Sequence, residues 1–189
     1  MQSYEYYKNE LRKILSPKRF EHCVNVSLMA EELAKNYGID SEKVKLAGLL
    51  HDICKEKSDE ENISILKNNG YFETSGKINS IKILHGPAAS FLLKEKYNIT
   101  DIDILNAVRY HTTGRKNMTL FEKIIFTADY VSVERDWLNV EKVRNLAFKN
   151  IDEAVLIKLI YAIKKCVNNN QSISINTVEL YNELIMRMG

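Results

Sequence analysis

The chain has 189 residues, of which 45% are hydrophobic and 28% charged, with a formal net charge of +2. That size and apolar content suit one cored domain, and so even a charge balance gives no electrostatic footprint for nucleic acid. Seven Gly and two Pro are too few for an all-β chain of many tight turns, while three cysteines (Cys23, Cys54 and Cys166) without a C-x-x-C pair exclude a disulfide framework or zinc knuckle.

Helix follows helix along the chain. Tyr4 to Leu15 is amphipathic, carries both charge signs and lacks an apolar h-region, so it reads as a first helix and not as an export signal. A cytoplasmic protein with reduced thiols is expected. Ser16-Pro17 is an N-cap followed by an N1 proline, and the helix it opens runs to about Tyr37, where Gly38 suits the position past the end. Asp40 or Ser41 caps a third helix, in which Leu46, Leu49, Leu50 and Ile53 fall on one buried face. Ser58 to about Asn69 reads as a short polar helix ending at Gly70, and Tyr71 to Leu84 as loop with some helix. Gly86-Pro87 opens a helix to about Tyr97, Asp101 starts the next, Thr112 to Asn117 is a loop around Gly114, and Thr119 caps a helix through Ala128 and Asp129. Glu141 to Lys149, Asp152 to about Asn168 and Thr177 to Arg187 complete the set. The predicted class is therefore all-α. No apolar run approaches a membrane span. The C-terminal third is expected to pack on the core as scaffold or to serve a homodimer contact.

The chain has four histidines, and all fall on or beside apolar helical faces or at helix ends. His22 lies four before Val26, which leads the stripe Val26, Met29, Ala30, Leu33; His51 follows Leu50; His111 ends the stripe Ile104, Ala107, Val108. Asp52 and Asp129 lean inward in the same way. A single inward His is more often a hydrogen-bonded core residue than a ligand, and a buried carboxylate is costly unless paired or metal-bound. Six such residues on separate helices point instead to a metal site at the core of a helical bundle. Imidazole and carboxylate together suit Fe, Mn, Co, Ni or Zn better than Mg. Arg19 lies on the face of His22, Lys55 shortly after Asp52 and Arg135 six after Asp129; these three are predicted to line a phosphate groove, with Lys as a point charge and Arg bidentate. Thr113 and Gly114 are candidates to offer backbone N–H groups to phosphate. Tyr110, Tyr130 and Trp137 are read as packing residues, and Cys54 as a small core residue.

The order His22, His51-Asp52, His85, His111, Asp129 resembles the HD-domain phosphohydrolases, and more narrowly the YqeK-like symmetrical bis(5′-nucleosyl)-tetraphosphatases. The segments that carry the likeness are Arg19-Phe20-Glu21-His22, Leu49 to Lys55, His85-Gly86-Pro87-Ala88, Val108 to Gly114, and Met118 to Tyr130. The likeness spans residues 17–137, within one domain over 1–189 whose helices from 138 to 189 form an extension. Where the family has Glu-Pro shortly after Ala-Asp, this chain has Ser132-Val133, and Cys54 stands where a small residue is usual.

The resemblance implies a helical bundle holding a divalent metal, iron by expectation, in a dinuclear site. His22, His51, Asp52 and Asp129 would hold one ion and His85 and His111 the other, with Asp52 bridging and Lys55 beside it in catalysis. The implied reaction is symmetrical hydrolysis of diadenosine tetraphosphate to two ADP by metal-activated hydroxide, with ADP or GDP as product-like ligand. Neither nucleic acid nor membrane is an expected partner. The rival readings are another HD nucleotidase or (deoxy)nucleoside triphosphate hydrolase, and a non-catalytic nucleotide-binding helical module.

Overall fold

The computed structural model describes residues 2–72 and 81–188. These form ten α-helices, and there is no strand among the described residues: α1 (Tyr4–Ile14), α2 (Pro17–Tyr37), α3 (Ser41–Leu50), α4 (Asp59–Asn68), α5 (His85–Tyr97), α6 (Ile102–Tyr110), α7 (Leu120–Val131), α8 (Val140–Ala147), α9 (Ile151–Asn168) and α10 (Ile175–Met188). Of the stretch predicted as loop with some helix, residues 73–80 lie outside the described residues and Ile81–Ile83 is a 3₁₀ turn.

Local chemistry sets the boundaries. The Ser16 side chain accepts from the Arg19 N–H ahead of the N-terminal proline of α2, and Gly38 closes that helix at φ 69°. Asp40 caps α3 and Asp101 caps α6. Ser58 with Glu61, and Thr119 with Glu122, form reciprocal capping boxes on α4 and α7. The long α2 packs on α3 and α7; α6 joins α3, α5 and α7; α9 lies against α7, α8 and α10. Tyr7, Leu11, Leu33, Leu49, Leu50, Ile104 and Phe126 are fully buried between them. No helix of the described residues is long and apolar enough to cross a membrane.

Two crossings are set by missing side chains. A Cβ on Gly48 would stand 2.9 Å from the Ser27 Cα, and one on Gly86 would stand 2.8 Å from the Arg109 carbonyl oxygen. So α3 meets α2, and α5 meets α6, at backbone contact. The first crossing brings His51 towards His22, and the second brings His85 towards His111.

Candidate metal centre

The six predicted ligand residues come together, and they do so at helix ends. His51 is the residue that closes α3, His111 the one that closes α6, and Asp129 sits in the last turn of α7. Helix C-termini carry partial negative charge and favour a cation. Asp52, the residue after His51, is the hub. Its Oδ1 lies 3.2 Å from His85 Nε2 and 3.4 Å from His111 Nε2, while its Oδ2 lies 3.4 Å from His51 Nε2 and 3.8 Å from His22 Nε2. Asp129 Oδ1 completes the second side, 3.2 Å from His22 Nε2 and 3.9 Å from His51 Nε2.

Each imidazole is oriented from behind. His51 Nδ1 donates to the Gly48 carbonyl at 2.7 Å, His111 Nδ1 to Val108 at 2.7 Å and His85 Nδ1 to Lys82 at 3.1 Å. In all three the acceptor is the carbonyl three residues earlier, and for His51 and His111 it belongs to the last helical turn, whose carbonyls lack helical partners. His22 Nδ1 instead meets Glu134 Oε1 at 2.5 Å. A carbonyl can only accept, so Nδ1 carries a proton in these three rings, and in the neutral ring Nε2 is free to ligate.

Four bare or inward-facing nitrogens therefore crowd carboxylate oxygens that are acceptors too. His22 Nε2, His51 Nε2 and Asp52 Oδ1 are buried without a hydrogen-bond partner. Acceptors packed against acceptors need a cation between them, and the atoms of His22, His51 and Asp129, and of His51, Asp52 and His111, lie close enough together to hold an ion. The donor set thus fits a divalent metal.

Without metal, protons bridge part of the cluster: although burial opposes it, hydrogen bonds to Asp129 and Glu134 raise the His22 pKa. Burial pushes the His111 pKa down to about 4, against the opposing pull of Asp52, so its ring is neutral and able to ligate near neutral pH. Burial raises the pKa of Asp52, but the imidazoles of His51, His111 and His85 outweigh it and keep the carboxyl well below the usual range. Asp129 is likewise held well below, burial being outweighed by Lys158 and His22. Burial pushes the Cys54 thiol up to about 12, so it is no nucleophile.

The three cations singled out from spacing surround this cluster. Arg19 Nη1 donates to Asp52 Oδ2 at 2.8 Å, Lys55 Nζ lies 3.4 Å from His85 Nε2, and Arg135 donates through Nη2 to Asp129 Oδ1 at 3.0 Å. Gly114 takes no part in the cluster: at φ 65° it packs so tightly that a Cβ would stand 2.3 Å from Leu180 Cδ2. The Thr113 hydroxyl is turned to the Gly114 carbonyl at 2.9 Å, and the neighbouring Thr112 Oγ1 lies 3.1 Å from His111 Nε2.

Two participants escaped sequence reasoning. Lys158 of α9 buries its ammonium against Asp129 Oδ2 at 3.1 Å, the Phe126 carbonyl at 2.6 Å and the His111 carbonyl at 3.2 Å. Glu134 stands two residues past Ser132, where the family's Glu was expected, and the Ser132 hydroxyl donates to its Oε1 at 2.8 Å. Although burial opposes it, the His22 hydrogen bond lowers the Glu134 pKa to about 2, so this carboxylate is ionised and holds the ring. Glu134→Ala should weaken metal binding about 10- to 100-fold, the usual cost of losing an outer partner of a ligating His. Glu134→Gln, which keeps an acceptor, should lose less; chelator competition measures both.

A cavity of about 470 Å³ opens from this cluster, lined at the near end by Lys55, Thr112, Asp129, Arg135 and Lys158. Its far wall comes from α9, the segment Gln171–Ser174 and Thr177, so the C-terminal helices shape the groove as well as buttressing the core.

Comparison with known proteins gives concordant results. Residues 19–134 match the HD domain family. The chain is 36% identical over 172 residues to the symmetrical bis(5′-nucleosyl)-tetraphosphatase of Halalkalibacterium halodurans, covering 91% of each chain. It is 37% identical to that of Staphylococcus aureus over 84% of this chain and 79% of the relative. Among solved structures, a "predicted HD superfamily hydrolase involved in NAD metabolism" from Clostridium acetobutylicum superposes with a TM-score of 0.94 at 38% identity, covering 99% of both chains.

Proposed function

The chain belongs to the HD-domain family, and from that premise we propose that it is a metal-dependent phosphohydrolase cleaving diadenosine tetraphosphate symmetrically into two ADP. The observation that carries the proposal is the convergence of four inward-facing Nε2 atoms on the two oxygens of one buried carboxylate, Asp52. That partition suits two ions: one shared by His22, His51, Asp52 and Asp129, the other by His85, His111 and Asp52. Iron is the expected metal, and Mn, Co, Ni or Zn suit the same donors.

When bound, divalent ions there supply Lewis acidity that lowers the pKa of a water and neutralises phosphoryl charge. The chain's own residues do the rest. Lys55, at the mouth beside His85, and Arg135 and Arg19 beside the two aspartates can transfer their hydrogen bonds to phosphate oxygens as a polyphosphate enters. In the reaction the oxygen of water joins an inner phosphorus, the P–O bond to the bridging oxygen breaks, and each half departs as ADP. The leaving phosphate carries charge that the same cations stabilise, so electrostatic positioning is the main contribution asked of the protein.

Freshly purified protein should contain divalent metal and convert diadenosine tetraphosphate to ADP alone, as resolved by anion-exchange chromatography. ATP plus AMP among the products would overturn symmetrical cleavage, and release of nucleoside or tripolyphosphate from a nucleoside triphosphate in its place would move the chain to a different reaction.

A further inference from the structure

Part of the groove's lining differs in character from its cationic residues. It is aromatic, with Tyr130, Trp137 and Tyr161. Tyr130 and Trp137 are stacked, their ring centroids 4.6 Å apart at 28°, and Tyr161 lies 5.5 Å from Tyr130 at 41°. Trp137 Nε1 donates to the Tyr130 carbonyl at 3.2 Å, which locks the indole in place and satisfies its one donor. Tyr161 is 52% exposed, so part of its ring is open at the edge of the cavity. Aromatic faces grouped in this way form a stacking platform, and base stacking of this kind is tolerant of base identity.

Size narrows what can sit there. At about 470 Å³ the cavity lies in the lower half of the range of about 300–1,000 Å³ typical of small-molecule pockets. A cavity of that size is on the scale of a single nucleotide. Cations dominate its charge, with Lys55, Lys82, Arg135, Lys158 and Lys165 against Asp129.

We propose that Tyr130, Trp137 and Tyr161 form the base subsite for a single nucleoside, whose phosphates run back along the cations to the metal centre while the second nucleoside stays outside the pocket. The inference rests on the phosphohydrolase reading above and adds a reason for its symmetry: the platform anchors one end, so the cleaved bond is set by distance from one base. The second base goes unread, and mixed dinucleoside tetraphosphates are cut at the same position.

Trp137 is the only tryptophan in the chain, so its fluorescence reports on this platform directly. Titrating the metal-loaded protein with ADP should quench that emission, and adenosine should quench it at higher concentration, whereas pyrophosphate should bind without quenching. Trp137→Ala and Tyr161→Ala should each weaken ADP binding about 10- to 100-fold in calorimetry, the loss expected for one stacked base; Trp137→Phe should recover most of it. Tyr161→Ala alters an exposed ring and leaves the core alone. Unchanged ADP affinity in Tyr161→Ala and Trp137→Ala, or equal quenching by pyrophosphate, would overturn the subsite. Either result leaves the hydrolysis proposal standing, because that proposal fails only on the product assay.

Discussion

Asp52→Ala should strip the protein of metal and abolish hydrolysis together, by at least about 10³-fold. The loss should exceed the 10- to 100-fold cost of an outer-shell change because both oxygens of this carboxylate face imidazoles, one pair on each side. Alanine leaves His22, His51, His85 and His111 without the carboxylate that all four Nε2 atoms face. Asp129 is not placed to take over: of the four imidazoles its Oδ1 approaches His22 and His51, that oxygen also accepts from Arg135, and its Oδ2 is committed to Lys158. Elemental analysis of the purified variant, with circular dichroism to confirm retained helix, checks the first part, and product formation the second. A folded variant that kept its metal and turned over normally would end the proposed mechanism.

The second large effect concerns stability. Lys158→Met should destabilise the metal-free protein by about 3–5 kcal/mol, the range for breaking a buried ion pair from one side. The ammonium answers one carboxylate oxygen and two backbone carbonyls, while Arg135 reaches the other oxygen of Asp129 at 3.0 Å. Burial lowers the Lys158 pKa and Asp129 pulls it back up, so the charge persists because of its partner. A metal ion at the centre gives Asp129 a further cation beside Lys158 and Arg135. The difference between variant and parent in urea unfolding should therefore shrink when metal is added. An equal difference with and without metal would mean that Lys158 serves only as packing and carbonyl cap.

The helical architecture was largely legible because its punctuation is chemical. Ser16, Asp40, Ser58, Asp101 and Thr119 each cap a helix where side-chain chemistry foretold one, and Gly38 ends α2 with the positive φ that its lack of a Cβ allows. The six candidate ligands were legible as types out of place on apolar faces or at helix ends. The carbonyl anchors of His51, His85 and His111 were not, since they emerge only from where each helix or turn stops. Lys158 left a trace, a lone charge between Val155 and Leu159 on an otherwise apolar stripe, but the stripe invites reading as scaffold. Glu134 left none: its partner His22 is 112 residues away, and no local pattern joins them. The same holds for Gln171–Ser174, whose place on the wall of the groove depends on how α9 and α10 fold back.

Gly48 and Gly86 offer no side chain to the centre, yet each fixes how near two backbones come just beside a histidine pair. The bite of the centre is thus gauged by main-chain thickness and hardly at all by the bulk of surrounding side chains. Most of the helical exterior can diverge without altering that gauge, while two positions carrying only hydrogen work as shims, and natural selection should guard them as closely as the histidines themselves.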